Sequence, residues 1–212
     1  DNGQPATPIH IVDKNGFASW LAAQPDPVRT AVKAQKFEGS VNDSAILPGD
    51  KPGEWAVVAG VADASALGVW NLAKLSDILP EGSYRLLDTD AGEAMLGWVL
   101  GQYRYHEYLS EPKVTGARVL LVREPGKIHN IVLQARATAL VRDLVNRPAG
   151  DLGPDALEAE AKRIAKAHKA DVTVTAGEAL AALRTKLATA PAPGMSATSF
   201  PSPRKSRLAK NI

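Results

Sequence analysis

The chain has 212 residues, 45% of them hydrophobic, with a formal net charge of +2 and no cysteine. That length and apolar content suffice for the core of one large domain, or of one domain and part of another. The lack of cysteine excludes disulfides, thiolate catalysis and cysteine-bound zinc, and no apolar run approaches the roughly 20 residues of a membrane span.

The overall charge is unevenly placed. Residues 185–212 hold five basic residues and no acidic one, which leaves 20 basic against 23 acidic residues, a net −3, over 1–184. A mildly acidic globular part argues against an electrostatic nucleic-acid binder.

Taken in chain order, residues 1–15 carry scattered Pro, Gly and Asn and read as a loose lead-in. Asp1–His10 lacks the basic, apolar and small-residue succession of a signal peptide, and a first residue other than methionine reads as a trimmed or partial start. Phe17, Trp20 and Leu21 sit at helical spacing within 16–23, ahead of Pro25 and Pro27, which end that helix. Two short apolar runs, 45–48 and 54–59, flank a Gly-Asp-Lys-Pro-Gly turn and form a β-hairpin. Leu67, Trp70, Leu72, Leu75 and Leu79 predict a helix over 66–79.

A brief strand follows at 83–87. Asp90, with Glu93 three residues on, predicts a capping box for a helix carrying Met95, Trp98, Val99 and Leu109. Residues 118–122 read as a buried strand and 125–145 as an amphipathic helix. Pro148 forbids much of helical space to its predecessor, so that helix ends near Asn146. Pro154 suits a first helical position and opens the next helix. Residues 171–175 then predict a strand, and 177–183 a further helix. Strands alternating with helices point to an α/β layer structure. From Thr185 the chain holds four prolines, an all-basic charge set and no hydrophobic period, a composition that predicts disorder.

Two strings carry a family likeness. Leu140-Val-Arg-Asp-Leu-Val-Asn-Arg-Pro148, with the Pro154-Asp-Ala-Leu157 that follows, resembles the Arg-Asp-Leu-(Val/Thr)-Asn-x-Pro and Pro-x-x-Leu signature that opens the catalytic domain of the leucyl aminopeptidase (cytosol aminopeptidase) family. Upstream, Gly97-Trp-Val-Leu-Gly-Gln-Tyr-Arg-Tyr-His-Glu-Tyr108 resembles the Trp-x-Leu-Gly-x-Tyr-x-Phe-x-x-Tyr helix of that family's N-terminal domain, with Tyr105 in place of Phe. The likeness runs from about Phe37 to Leu180.

The resemblance implies a macro-like N-terminal α/β domain over 1–123, an interdomain helix over 124–147, the start of a truncated catalytic domain over 148–184, and a disordered basic tail over 185–212. It also implies a cytoplasmic metalloaminopeptidase that assembles as a homohexamer. Such an enzyme hydrolyses N-terminal residues from peptides with two divalent metals, manganese or zinc, which polarise the scissile carbonyl and activate a water. The family's ligands are carboxylates and a lysine in strings resembling Asn-Thr-Asp-Ala-Glu-Gly-Arg, and no such string occurs in this sequence. No catalytic, cofactor-binding or metal-binding residue is therefore carried over, and the chain is expected to be inactive.

Other chemistry fares no better. His106 and Glu107, placed on a helix, lack a His-Glu-x-x-His partner. His129 and His168 lie near helix ends, where dipole complementation accounts for them. Asp88 and Asp90 read as caps rather than metal ligands. Ser44, Ser65 and Ser76 lack a nucleophile-elbow context. Gly60 and Gly68 make no dinucleotide fingerprint, and the aromatics Trp98, Tyr103, Tyr105 and Tyr108 read as core and interface rather than a stacking surface. Two alternatives remain: a macro-like module binding a nucleotide such as ADP-ribose or a nucleic acid, and an interaction protein whose basic tail meets an acidic partner.

Overall fold

The computed structural model describes residues 3–87, 89–112, 115–123 and 125–182. The chain separates into two units that divide between Asn146 and Arg147.

The first unit is built on a five-stranded mixed sheet in the order β2-β3-β1-β4-β5. β1 (Thr7–Asp13) lies at its centre, parallel to β3 (Trp55–Val61) on one side and to β4 (Gly82–Leu86) on the other. β2 (Ser44–Pro48) pairs antiparallel with β3, as the hairpin reading requires, and β5 (Arg118–Leu121) runs parallel to β4. The expected loose lead-in is thus corrected: residues 7–13 form the central strand. Ile9, Ile11 and Val12 supply the β-branched side chains, and Pro8 is tolerated because pairing with β3 begins only at Ile9↔Val57.

Alternation along the strands divides the core between two faces. Ile9, Val57, Ala59, Tyr84 and Leu86 point to one face, where they meet Leu72, Leu75, Met95 and Trp98. Val12, Ala45, Leu47 and Val58 point to the other, against Val28, Val32 and Phe37. Helices α1 (Phe17–Ala22) and α2 (Asp26–Ala34) cover the second face. Helix α2 is absent from the sequence reading. Pro25 and Pro27, expected only to end a helix, start one: Pro25 is the N-cap and Pro27 occupies the first turn.

On the first face lie α3 (Ala73–Ile78) and α4 (Ala94–Gly101). Both are shorter than the periodicity predicts. Residues 66–72 form turns ahead of α3, and α4 stops at Gly101, so Leu109 lies outside it. The capping box does not form either. Glu93 is the N-cap and makes no side-chain cap bond, while the Asp90 carboxylate accepts the N–H of its neighbour Ala91 at 2.9 Å.

Two glycines set how closely α4 approaches residues 69–76. A Cβ on Gly97 would overlap the carbonyl oxygen of Val69, and one on Gly101 would overlap that of Ala73 and the Ser76 hydroxyl. Ser76 is fully buried, and its hydroxyl donates to the Ala73 carbonyl at 2.9 Å.

A 3-10 turn at Pro125–Lys127 leads into α5 (Ile128–Asn146), the long helix predicted ahead of Pro148. In the second unit the Asp151 and Leu152 amides both donate to the Pro148 carbonyl at 2.9 Å, closing a tight connection. Gly153 then caps α6 (Pro154–Ala167), with Pro154 where the sequence placed it. Ion pairs Glu158–Lys162 (2.5 Å) and Glu160–Arg163 (2.5 Å) brace successive turns of this helix. Residues 171–175 are not a strand, contrary to expectation. A strand needs a hydrogen-bonded neighbour, and none is present among the described residues of this unit. Residues 177–182 are helical. The expected disordered tail over 185–212 lies outside the described residues.

Candidate functional site

A polar cluster lies where the end of α4 meets the end of α5. Gly101 closes α4, and the chain then presents Tyr103 to the last turns of α5. The Tyr103 hydroxyl donates to the Asp143 carboxylate at 2.7 Å and accepts from the Asn146 amide at 3.3 Å. The Arg142 guanidinium lies 5.3 Å from the centre of the Tyr103 ring and donates to the Leu100 carbonyl at 3.3 Å. Burial, followed by the bond to Asp143, pushes the Tyr103 phenol above its usual pKa, so it stays a neutral donor.

One turn back, Trp98 is 2% exposed, tilts against Tyr84 at 5.6 Å and donates its indole N–H to the Arg118 carbonyl at 2.8 Å. The same string therefore ties α4 both to the sheet and to α5.

The remaining sequence candidates do not come together. His106 is exposed in the turn beyond α4, not on a helix; His129 is exposed at the start of α5; and His168 is the exposed C-cap of α6. Asp88 lies outside the described residues, and Asp90 serves Ala91. Ser65 bonds Asp63, and the Ser44 amide is held by Asp43. Tyr105 and Tyr108 pair with one another at 6.0 Å, so the aromatics of this string are divided between core and surface. Among the described residues no group of three or more His, Cys, Asp or Glu side chains could hold a metal ion. Among the described residues the donors therefore do not converge as a two-metal centre needs.

A site missed by the sequence reading lies at the carboxyl ends of β1 and β3. The two Asp13 oxygens accept the Gly16 amide at 2.7 Å and the Ala64 amide at 3.2 Å, one from each loop. Those amide bonds, Gly16 first, hold the Asp13 carboxyl below the usual range. In a nucleotide-binding α/β sheet, loop amides in this place are left for phosphate. Here a carboxylate of the chain itself takes them.

A cleft of about 590 Å³ opens between the start of β1, the hairpin turn and the start of α2, with His10, Pro25, Asp50, Glu54 and Trp55 in its wall. His10 accepts the Trp20 indole N–H at 3.4 Å, and Trp55 stands edge-on to Tyr84 at 6.1 Å.

Together these features define an α/β domain with a long helix locked to its flank. A family model described as the M17 aminopeptidase N-terminal domain matches residues 7–121, more than half of the chain, and the chain belongs to that family. The resemblance to this family is thereby borne out; of the two strings, residues 97–108 lie inside the matched stretch.

Among solved structures, the cytosol aminopeptidase from Coxiella burnetii is 25% identical with a TM-score of 0.73, over 86% of this chain and 40% of that one. The bottromycin maturation enzyme BotP is 23% identical, TM-score 0.64, over 84% and 41%; a related structure of BotP is a complex with manganese. A tomato leucine aminopeptidase mutant is 21% identical, TM-score 0.64, over 91% and 46%. The latter two likenesses speak to fold alone. The chain spans less than half the length of each of these proteins. No curated protein sequence matches it. Among the described residues, no helix is long and apolar enough to cross a membrane.

Proposed function

We propose that this chain supplies the N-terminal scaffold of an M17-type metalloaminopeptidase. Residues 1–123 are the α/β domain, 124–147 the connecting helix, and 148–184 the first stretch of the catalytic domain. The family match over residues 7–121 carries this reading. The superposition on the Coxiella enzyme supports the remainder, since 86% of the chain is more than residues 1–146 alone.

The activity proposed for the complete enzyme is two-metal hydrolysis of N-terminal residues from peptides. Manganese or zinc as cofactor, a cytoplasmic setting and a homohexamer belong to the same proposal. The physical role of the domain is positional. Tyr103, Asp143 and Arg142 fix the end of α5 to the end of α4.

The 212-residue chain itself is proposed not to hydrolyse peptides, because its sequence lacks the carboxylate-rich string and its described residues offer no suitable ligand group. Purified chain incubated with leucine p-nitroanilide and manganese tests this: no release above a metal-only control is expected, and metal-dependent turnover overturns it. Titration with ADP-ribose in a calorimeter tests the nucleotide alternative. Asp13 argues against that alternative, and a micromolar isotherm would restore it.

A further inference from the structure

An open sheet leaves two edges, here β2 and β5, each offering backbone N–H and C=O groups to a further strand. Both edges also carry exposed β-branched side chains, Ile46 at 50% and Val119 at 47%, which makes strand addition a hazard.

The two edges are met in the same way. Gln35, the C-cap of α2, accepts the Ile46 amide at 2.9 Å and donates to the Ile46 carbonyl at 2.7 Å. Gln102, the C-cap of α4, accepts the Arg118 amide at 3.0 Å and donates to the Arg118 carbonyl at 2.9 Å. A primary amide carries a donor and an acceptor side by side, as a neighbouring peptide group would, so each glutamine satisfies both backbone groups of one edge residue.

The closure of β2 goes further. The Gly49 amide bonds to the Glu54 carbonyl and the Gly60 amide to the Asp43 carbonyl, which by antiparallel alternation turns Ser44, Ile46 and Pro48 outward. The Ser44 amide is taken by the Asp43 carboxylate at 2.9 Å, and Pro48 has no N–H to offer. Every outward amide of β2 is therefore closed. On β5, the Gly82 amide bonds to the Ala117 carbonyl, so Arg118 faces out, where Trp98 reinforces Gln102 at its carbonyl.

We infer that Gln35 and Gln102 guard the two edges of the sheet, closing it to strand addition by a second copy of this chain or by an extended peptide.

The test uses the full chain carrying Gln35→Ala, Gln102→Ala or both, beside Gln24→Ala, whose amide donates to the Trp20 carbonyl away from either edge. Circular dichroism reports folding, and infrared spectroscopy with sedimentation reports intermolecular strand pairing. The double variant is expected to fold and to form strand-paired assemblies about tenfold faster than wild type or Gln24→Ala. A folded double variant that assembles no faster overturns the inference. Should the double variant fail to fold, hydrogen exchange on the wild-type chain decides: the Ile46 and Arg118 amides are expected to be protected at least about tenfold over unstructured rates. Exchange at unstructured rates there overturns the inference equally.

Discussion

The hydroxyl of Tyr103 donates a 2.7 Å hydrogen bond to the carboxylate of Asp143, forty residues further along the chain. Tyr103 belongs to the Trp98-centred string and Asp143 to the string before Pro148, so the two stretches that carry the family likeness touch in space. Each string has a physical task. The first seats α4 in the core and presents a phenol; the second ends α5 and presents the acceptor.

Removing that contact should loosen the end of α5 without unfolding the sheet. Tyr103→Phe is expected to cost about 0.5–1 kcal/mol, the lower range for a partly exposed bond to a charged group. Denaturant titrations of Tyr103→Phe, Asp143→Asn and the double variant should close a cycle with a coupling of similar size, and exchange of the last amides of α5 should quicken in each. Additive losses would show that the bond contributes nothing.

Close approach of α4 depends on missing side chains. Ala at position 97 or 101 must displace the carbonyl of Val69 or Ala73, so Gly97→Ala and Gly101→Ala should each destabilise by about 1–3 kcal/mol, despite a helix-propensity gain of about 1 kcal/mol. Gly126→Ala, with nothing within 4 Å of its added Cβ, is the neutral control. Thermal melts of the three variants check the order.

Trp98 joins core packing to a backbone bond at the sheet edge. Trp98→Ala should cost about 3–5 kcal/mol, and Trp98→Phe less, because the phenyl ring keeps much of the packing against Tyr84 but loses the bond to Arg118. A Trp98→Phe variant as stable as wild type would contradict the role given to the indole N–H.

Acid sensitivity should trace in part to Asp13. Its folded pKa is depressed by the Gly16 and Ala64 amides, so its contribution is present above the unfolded value of about 3.9 and is lost as pH falls through the lower folded value. Asp13→Asn should be less stable than wild type at pH 6, with the gap narrowing steadily below about pH 4. A gap that does not change with pH would refute the linkage.

The sequence reads well where a single physical signal dominates. The hairpin follows from two apolar runs around a Gly-rich turn, and α5 and α6 follow from Pro148 and Pro154. It misleads where one residue serves two purposes. Pro25 and Pro27 look like breakers yet start α2, and Pro5 and Pro8 hide a central strand whose apolar content is only Ile9, Ile11 and Val12. The alternation at 171–175 promises a strand, but alternation cannot supply a pairing partner. The Ala64 half of the Asp13 latch and the glutamine edge bonds depend on contacts between residues 11 to 51 apart, for which local pattern holds no signal.

The proposed function makes this chain a scaffold whose described residues offer no seat for a pair of divalent ions. Equilibrium dialysis of the purified 212-residue protein against manganese, followed by metal counting on the folded fraction, tests it most directly. No manganese above the buffer background is expected. Two ions retained per chain, alongside leucine release from a peptide, would contradict it.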